Sequence, residues 1–419
     1  MAAGYLEILR AKHAARLLTG TLVGRLPNAT AAIAIVLFVR AEGGTYSLAG
    51  ALAAVYGVAN AVGQPLLGRL VDKHGQPRVQ LPAALVSALA MAVFAFVGAD
   101  PLPLAYLSVA AAGLFTPPLE GGLRALWPAV LRREDQVHTA YAMDAVAQEV
   151  MFTVGPLLVT LCVSVWSAQG ALLVLNAVGV VGALSVVVSP PSRAWRSAPR
   201  EAHWLGALRS PGLLALLGAF LFIGVALGSI TVASVPYADD HGGDAVYGWL
   251  MAALGLGALL GGVVYGARRW AGPPERRLRW LVALLAVCYL PLTLMPGAVA
   301  MVALTALAGV FLAPAIACAF VIVDRHAPRG TVTEAFSWLV TTFTVGASVG
   351  TGLAGPVVEA GGALWGFTVP AVAGCVSLVV LLATGRVLAA PTASGVVAAS
   401  SENDPNRAAE PRFSSGDRA

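Results

Sequence analysis

Residues 45–100 read TYSLAGALAAVYGVANAVGQPLLGRLVDKHGQPRVQLPAALVSALAMAVFAFVGAD. Two runs with no charged residue, 45–68 and 79–99, flank a short connection that carries Arg69, Asp72, Lys73 and Arg78. About 20 mainly apolar residues suffice to cross a hydrocarbon core of about 30 Å, so each run is long enough to span a membrane. The pattern continues outward in both directions. Candidate spans are 17–39, 45–68, 79–99, 102–123, 140–165 and 168–189, then 211–236, 246–266, 280–296, 298–322, 333–356 and 362–384. Between the ninth and tenth, only Met295-Pro296-Gly297 marks the division.

Composition agrees. Of 419 residues, 58% are hydrophobic and 11% charged, less than half the charged share of an ordinary soluble domain, which is about 25%. Mean hydropathy is +0.80. A soluble enzyme, a nucleic-acid binder and a disordered chain lack support from such a composition. Cys162, Cys288, Cys318 and Cys375 lie apart, each inside an apolar run, and read as small buried side chains rather than as metal ligands or disulfides. The histidines have no ligand spacing, so neither metal nor cofactor is expected. The only lysines, Lys12 and Lys73, do not follow a glycine as a phosphate-binding loop requires. Gly350-Thr-Gly352-Leu-Ala-Gly355 imitates a nucleotide fingerprint inside an apolar run and reads as a helix-packing face.

Basic residues cluster on alternate connections. With the N-terminus in the cytoplasm, 24 of the 26 arginines and lysines face inward, while Arg40 faces outward and Arg25 lies within a span. The outward connections carry Glu42, Asp100, Asp239, Asp240, Asp244 and Glu359. Basic residues are retained on the cytoplasmic side, so both termini are expected inside; the excess of arginine over lysine and the compact loops point to the cytoplasmic (inner) membrane of a bacterium. Trp127, Trp166, Trp249, Trp270, Trp280 and Trp365 fall near span ends, as interfacial anchors do.

The chain divides into residues 1–189, a cytoplasmic linker 190–210, residues 211–386 and a disordered polar tail 387–419. The two large parts carry traces of duplication. Val55-Tyr56-Gly57 recurs as Val246-Tyr247-Gly248, Phe152-Thr153-Val154-Gly155 as Phe343-Thr344-Val345-Gly346, and Ala112-Gly113-Leu114-Phe115 resembles Ala308-Gly309-Val310-Phe311. Paired six-helix bodies around a central site suit a transporter in which one half rocks against the other.

Gly68-Arg69-Leu70-Val71-Asp72-Lys73-His74-Gly75-Gln76-Pro77-Arg78 resembles the loop between the second and third spans of the major facilitator superfamily. Gly68, Leu70, Asp72, Lys73 and Gly75 match; Gln76-Pro77 replaces the usual basic pair, with Arg78 nearby. The resemblance covers about residues 5–386 and implies an all-α membrane fold of twelve helices in two six-helix bundles. It also implies that Asp72 latches the cytoplasmic side against an arginine or a helix N-terminus. For Lys73 and Arg78, setting orientation is an equal reading. Gly155-Pro156, echoed by Gly355-Pro356, resembles the helix-bending motif of the superfamily's exporters, although Met151 stands where glycine is common. The span-four arginine of drug/proton antiporters is missing, with Val109 near its place.

Ionised residues inside spans are costly and persist where they pair or line water. Arg25 and Glu149 lie about 12 Å and 14 Å from the inner surface at 1.5 Å per residue, a matching depth that would let them pair. They are the candidate polar centre, either exchanging a proton or fixing helix packing. Asp144, Glu120 and Glu334 lie shallower; Asp144, Glu334 and Arg124 read as able to reach water, and Glu120, after Pro117-Pro118, is intermediate. Asn28, Asn60, Gln64, Gln148 and Asn176 are polar candidates for a cavity wall. The function expected is export of a small organic compound by proton antiport in an alternating-access monomer. Proton-coupled uptake, or a non-transporting sensor or scaffold, are the alternatives; an enzyme is not expected. The partners expected are the lipid bilayer, a small-molecule substrate and protons, with no nucleic acid.

Overall fold

A computed structural model describes residues 2–131, 133–199, 204–268, 270 and 272–389. Among these the regular structure is helical. A short N-terminal helix α1 (Ala2–Arg10) precedes α2 (Ala14–Ala41), α3 (Tyr46–His74), α4 (Gln76–Val97), α5 (Leu102–Leu114), α6 (Leu119–Val130), α7 (Glu134–Val165) and α8 (Ala168–Val187). After α9 (Pro190–Ala194) come α10 (Pro211–His241), α11 (Asp244–Gly266), α12 (Pro274–Tyr289), α13 (Ala298–Val310), α14 (Leu312–His326), α15 (Val332–Ala383) and α16 (Gly385–Ala389).

Among the described residues, eleven segments are long and apolar enough to cross a membrane. One of them, the 52-residue α15, breaks at Gly362, whose φ of 71° and ψ of −167° suit only glycine. The chain reverses there. Gly350 packs on Val225 of α10, Gly366 on Ala233, and Ser377 returns to donate to the Ala219 carbonyl. Twelve crossings result, at the positions the apolar runs predict.

Spans four and ten are each interrupted at the same place in the two halves. α5 and α6 are separated by Phe115-Thr116-Pro117-Pro118, and α13 and α14 meet at Phe311. The prolines explain the first break, because they carry no N–H to continue the helical bonds. Pro314 plays the same part at Phe311, since it has no N–H for the Val310 carbonyl, and the break falls where Ala308-Gly309-Val310-Phe311 resembles residues 112–115. Span nine begins at Pro274 rather than 280, because α12 carries its arginines on an extra turn. It ends in a 3-10 turn, Leu290–Leu294, and Met295 in the left-handed region.

Close helix approach uses small residues. A Cβ at Gly228 of α10 would stand 1.9 Å from the Ala347 carbonyl oxygen of α15, so these backbones touch. Gly350 of the false nucleotide fingerprint packs in the same seam, whereas Gly352 and Gly355 face open space. The outer faces are apolar and exposed, as at Leu89, Phe96, Leu107, Val181 and Val299, which suits contact with lipid tails. Trp166, Trp249, Trp270, Trp280 and Trp365 are exposed, but Trp127 is 0% exposed and belongs to the core rather than to an interface. Cys375 is exposed, unlike the buried Cys288 and Cys318.

The C-terminal body runs past the expected boundary at 386. α16 is docked, with Leu388 buried and its carbonyl 2.9 Å from His326 Nε2. The rest of the expected disordered tail, 390–419, lies outside the described residues. The linker lies under the arginine-rich end: Ser192 donates to Gln76 Oε1 at 2.9 Å, and Arg69 donates to the Trp204 carbonyl at 2.8 Å.

Candidate functional site

Two prolines set the site. They end α5 and restart the chain as α6, which places Glu120 in the first turn of the new helix and Arg124 one turn later on the same face. α7 crosses beside it and presents Asp144 and Gln148, again four apart. α2 contributes Arg25. Arg25 Nη2 lies 2.7 Å from Glu120 Oε1, and its Nη1 lies 3.3 Å from Asp144 Oδ1. Arg124 Nε lies 2.6 Å from Asp144 Oδ2, and its Nη2 lies 3.4 Å from both Glu120 Oε2 and Gln148 Oε1. Two guanidinium and two carboxylate groups thus form a closed ring whose charges cancel, which removes most of the cost of burying them. Asp144 and Arg124 are 0% exposed, and Glu120 retains 14%.

Arg25 therefore pairs with Glu120 and Asp144 and not with Glu149. Depth alone matched Arg25 to Glu149, but α7 turns Glu149 to a different face from Asp144 and Gln148. Glu149 is absent from the cavity wall, which Gln148 and Met151 join. Arg124 and Asp144 were expected near water. Both are buried: Arg124 lies under Phe320 of α14 and Phe336 of α15, and Asp144 is enclosed in the ring with it.

Above the ring, toward the end opposite the arginine-rich connections, lies a cavity of about 220 Å³. Arg25 and Glu120 form its floor, with Asn28, Tyr56, Asn60, Gln64, Thr116 and Gln148 on one side and Val340, Thr341 and Thr344 of α15 on the other. The polar wall is a connected ladder. Asn60 donates to Asn28 Oδ1 at 3.1 Å, Gln64 donates to Asn60 Oδ1 at 3.3 Å and to the Thr116 carbonyl at 3.0 Å, and the Tyr56 hydroxyl lies 3.2 Å from that of Thr116. Asn176 instead donates to Leu172 of its own helix. Tyr56 and Thr116 were not singled out from the sequence; Tyr56 lies in the repeated Val-Tyr-Gly, which could have marked it.

Between the ring and the arginine-rich end the two halves meet. The Arg124 guanidinium carbon lies 3.7 Å from the centre of the Phe320 ring, a cation–π contact across the seam. Tyr141 packs with Phe320 and Phe336 in the same cluster. Asp72, buried at the end of α3, accepts from the Thr333 and Glu334 amides at 3.0 and 2.8 Å. These are first-turn N–H groups of α15, which have no carbonyl partner within the helix, and the helix dipole favours an anion there. Gly68 lets this approach happen, since a Cβ there would come within 3.1 Å of Glu334 Cα. Gly75 turns the chain with φ of 86°. Lys73 and Arg78 are exposed. Gln76 is buried, donating to the Gly122 carbonyl at 2.9 Å, a place no arginine could occupy without an acidic partner. A Cβ added at Gly155 would meet Thr30 of α2 at ordinary distance and Pro156 lies within α7, whereas Gly355 has open space beside it and Pro356 lies within α15. Among the described residues no group of three His, Cys, Asp or Glu side chains could hold a metal.

A profile of the Major Facilitator Superfamily matches residues 17–332. No curated protein sequence matches the chain. Among solved structures, a bacterial homologue of the iron transporter ferroportin, in an outward-facing state, superposes with a TM-score of 0.71 at 15% identity, covering 89% of this chain and 99% of that one. The E. coli fucose:proton symporter gives 0.66 at 16% identity, covering 88% and 97%. The human organic anion transporter MFSD10 gives 0.64 at 18%, covering 87% and 97%. At such identities the superpositions establish the fold, while the profile covers most of the sequence. Together they make this chain a member of the Major Facilitator Superfamily, a multi-pass membrane protein built as a secondary transporter.

Proposed function

We propose that this transporter exports a small polar organic solute in exchange for protons, with Glu120 as the exchanging carboxylate. The observation that carries the reading is the position of Glu120: it is the acid of the buried ring that lines the cavity, and it is bonded to Arg25. A proton on Glu120 cancels one of two negative charges facing two guanidiniums. It therefore removes the charged acceptor that a deprotonated Glu120, at the cavity floor, offers to the N–H and O–H groups of a solute. Solute and proton would then compete for one place, as antiport requires. The amide and hydroxyl ladder suits a solute with several hydrogen-bonding groups, and the cavity volume keeps it small.

The cluster of arginines on alternate connections supports a cytoplasmic-membrane location with both termini inside. The Asp72 contact then acts as a cytoplasmic latch, and the protein works as a monomer with its site at the seam of its own halves. Gly155-Pro156 in α7 supports the export direction. Everted vesicles carrying the protein, given an imposed proton gradient and a panel of labelled polar solutes, test this. Solute accumulation inside the everted vesicles, with proton release, is expected. Proton-driven movement in the opposite sense would make it an uptake symporter, and ligand binding without flux would make it a sensor.

A further inference from the structure

We propose that the arginine-rich end holds a binding cavity for a phosphate group, from an anionic lipid headgroup or a soluble phosphate, that exists only while the two halves are joined there. The ligand would thereby hold the transporter closed at that end. The inference rests on alternating access alone, and not on the direction of transport or on proton coupling.

A second cavity, of about 280 Å³, lies in the seam at this end. One wall belongs to the N-terminal half, from Glu7 and Ile8 of α1, Arg133, and Asp135, Gln136 and His138 of α7. The other belongs to the C-terminal half, from Tyr265 at the end of α11, Arg268 and Trp270 of the following connection, and Arg277 of α12. The charges on the two walls differ. On the first wall Arg133 is already neutralised: Asp135 accepts from its Nε at 2.8 Å, and Glu7 lies 3.6 Å from its Nη1. On the second wall, Arg268 and Arg277 have no carboxylate partner among the described residues. Glu275, on the same helix, turns instead to Arg325.

Arg277 is held in place. Its Nη1 donates to the Tyr265 hydroxyl at 3.1 Å, its Nη2 donates to the Gly272 carbonyl at 3.4 Å, and its guanidinium lies 5.5 Å from the Trp270 ring, which stacks on Tyr265. A guanidinium has five N–H donors in a planar fork, so three remain for a ligand. A fixed fork beside a second free guanidinium suits the oxygens of a phosphate group, which arginine binds in a bidentate manner.

Closure of this end also depends on α1. The Tyr5 hydroxyl donates to the Val263 carbonyl at 3.1 Å and reaches that of Gly262 at 3.3 Å, so the first helix of one half is fastened to α11 of the other. Separating the halves breaks these bonds and pulls the two walls apart. A ligand that needs both walls binds the closed form, and by linkage favours it.

The test is hydrogen–deuterium exchange on the full-length protein in nanodiscs, without solute or gradient. Three conditions are compared: phosphatidylcholine alone, phosphatidylcholine with phosphatidic acid, and phosphatidylcholine with inorganic phosphate. Exchange at residues 4–10 and 262–268 is expected to slow with an added phosphate group. Protection by phosphatidic acid alone assigns a lipid headgroup; protection by inorganic phosphate as well assigns a soluble ligand. R277Q and R268Q should each raise the ligand needed for half-protection by about tenfold, the loss of one charged contact. Arg268 is exposed, so R268Q keeps the test valid if R277Q fails to fold. R276Q removes a neighbouring exposed charge that does not line the cavity and should change nothing. Absence of protection in both arms, or equal loss in R276Q, overturns the proposal and leaves these arginines as orientation charges.

Discussion

Asp72→Asn tests the latch with a change of one atom. In the closed form the carboxylate accepts from two backbone amides, at 3.0 and 2.8 Å, and is 8% exposed. Hydrogen bonds to a charged group contribute about 1.5–3 kcal/mol each, and an anion at a helix N-terminus adds about 0.3–1 kcal/mol. Asparagine keeps one acceptor oxygen, but its amide nitrogen then faces an N–H, so one bond and the charge are lost. When the halves part, water solvates either side chain, so the loss falls on the closed form. A shift of about 2–4 kcal/mol toward opening follows, roughly thirty- to several-hundred-fold in the equilibrium. Spin labels at the exposed Arg193 and Arg329, on opposite halves at this end, would report it as a longer distance population by pulsed electron resonance. An unchanged distance distribution in a monodisperse protein would refute the latch.

Three other predictions follow from the same geometry. Phe320→Ala removes the ring 3.7 Å from Arg124 and should favour opening by about 2 kcal/mol, the value of a desolvated cation–π contact; Phe320→Trp should retain closure in the same distance measurement. Glu120→Gln should abolish gradient-driven flux in vesicles while leaving folded protein, and Glu149→Gln, off the cavity wall, should spare it; the reverse outcome would transfer the proton to Glu149. Tyr5 gives a pH signature outside the membrane. Burial raises its pKa from 10.0 to about 12, so its contribution to closure is intact below pH 10 and is lost as pH climbs toward about 12. Exchange at α1, after division by the intrinsic base-catalysed rate, should quicken across that window, and Tyr5→Phe should remove that excess.

The crossings were legible because insertion into lipid imposes a length and a composition that no packing detail can override. Asp72 was legible through its motif, although only the structure selects a helix N-terminus over an arginine as its partner. Depth along a helix was a good guide to burial for Arg25 and a poor one for Arg124 and Asp144. Rise per residue measures distance from the surface but not which helices lie between. The Arg25–Glu149 pair failed for a related reason: rotation about the helix axis decides partners, and a sequence rich in Ala, Val, Leu and Gly leaves that rotation almost unmarked. The break at Pro117-Pro118, which places Glu120 and Arg124 on one face, was the local signal with the most to offer.

The balanced ring of Arg25, Arg124, Glu120 and Asp144 has an electrical consequence. As the halves rock with the ring intact, these four groups move no net charge through the membrane field, so that step is blind to voltage. A single proton carried on Glu120 makes the moving body cationic, worth about 2.3 kcal/mol per 100 mV if it traverses the full field. Interior-negative potential would then pull the loaded form inward and leave the return stroke to the solute, dividing one cycle into an electrogenic half and a silent one.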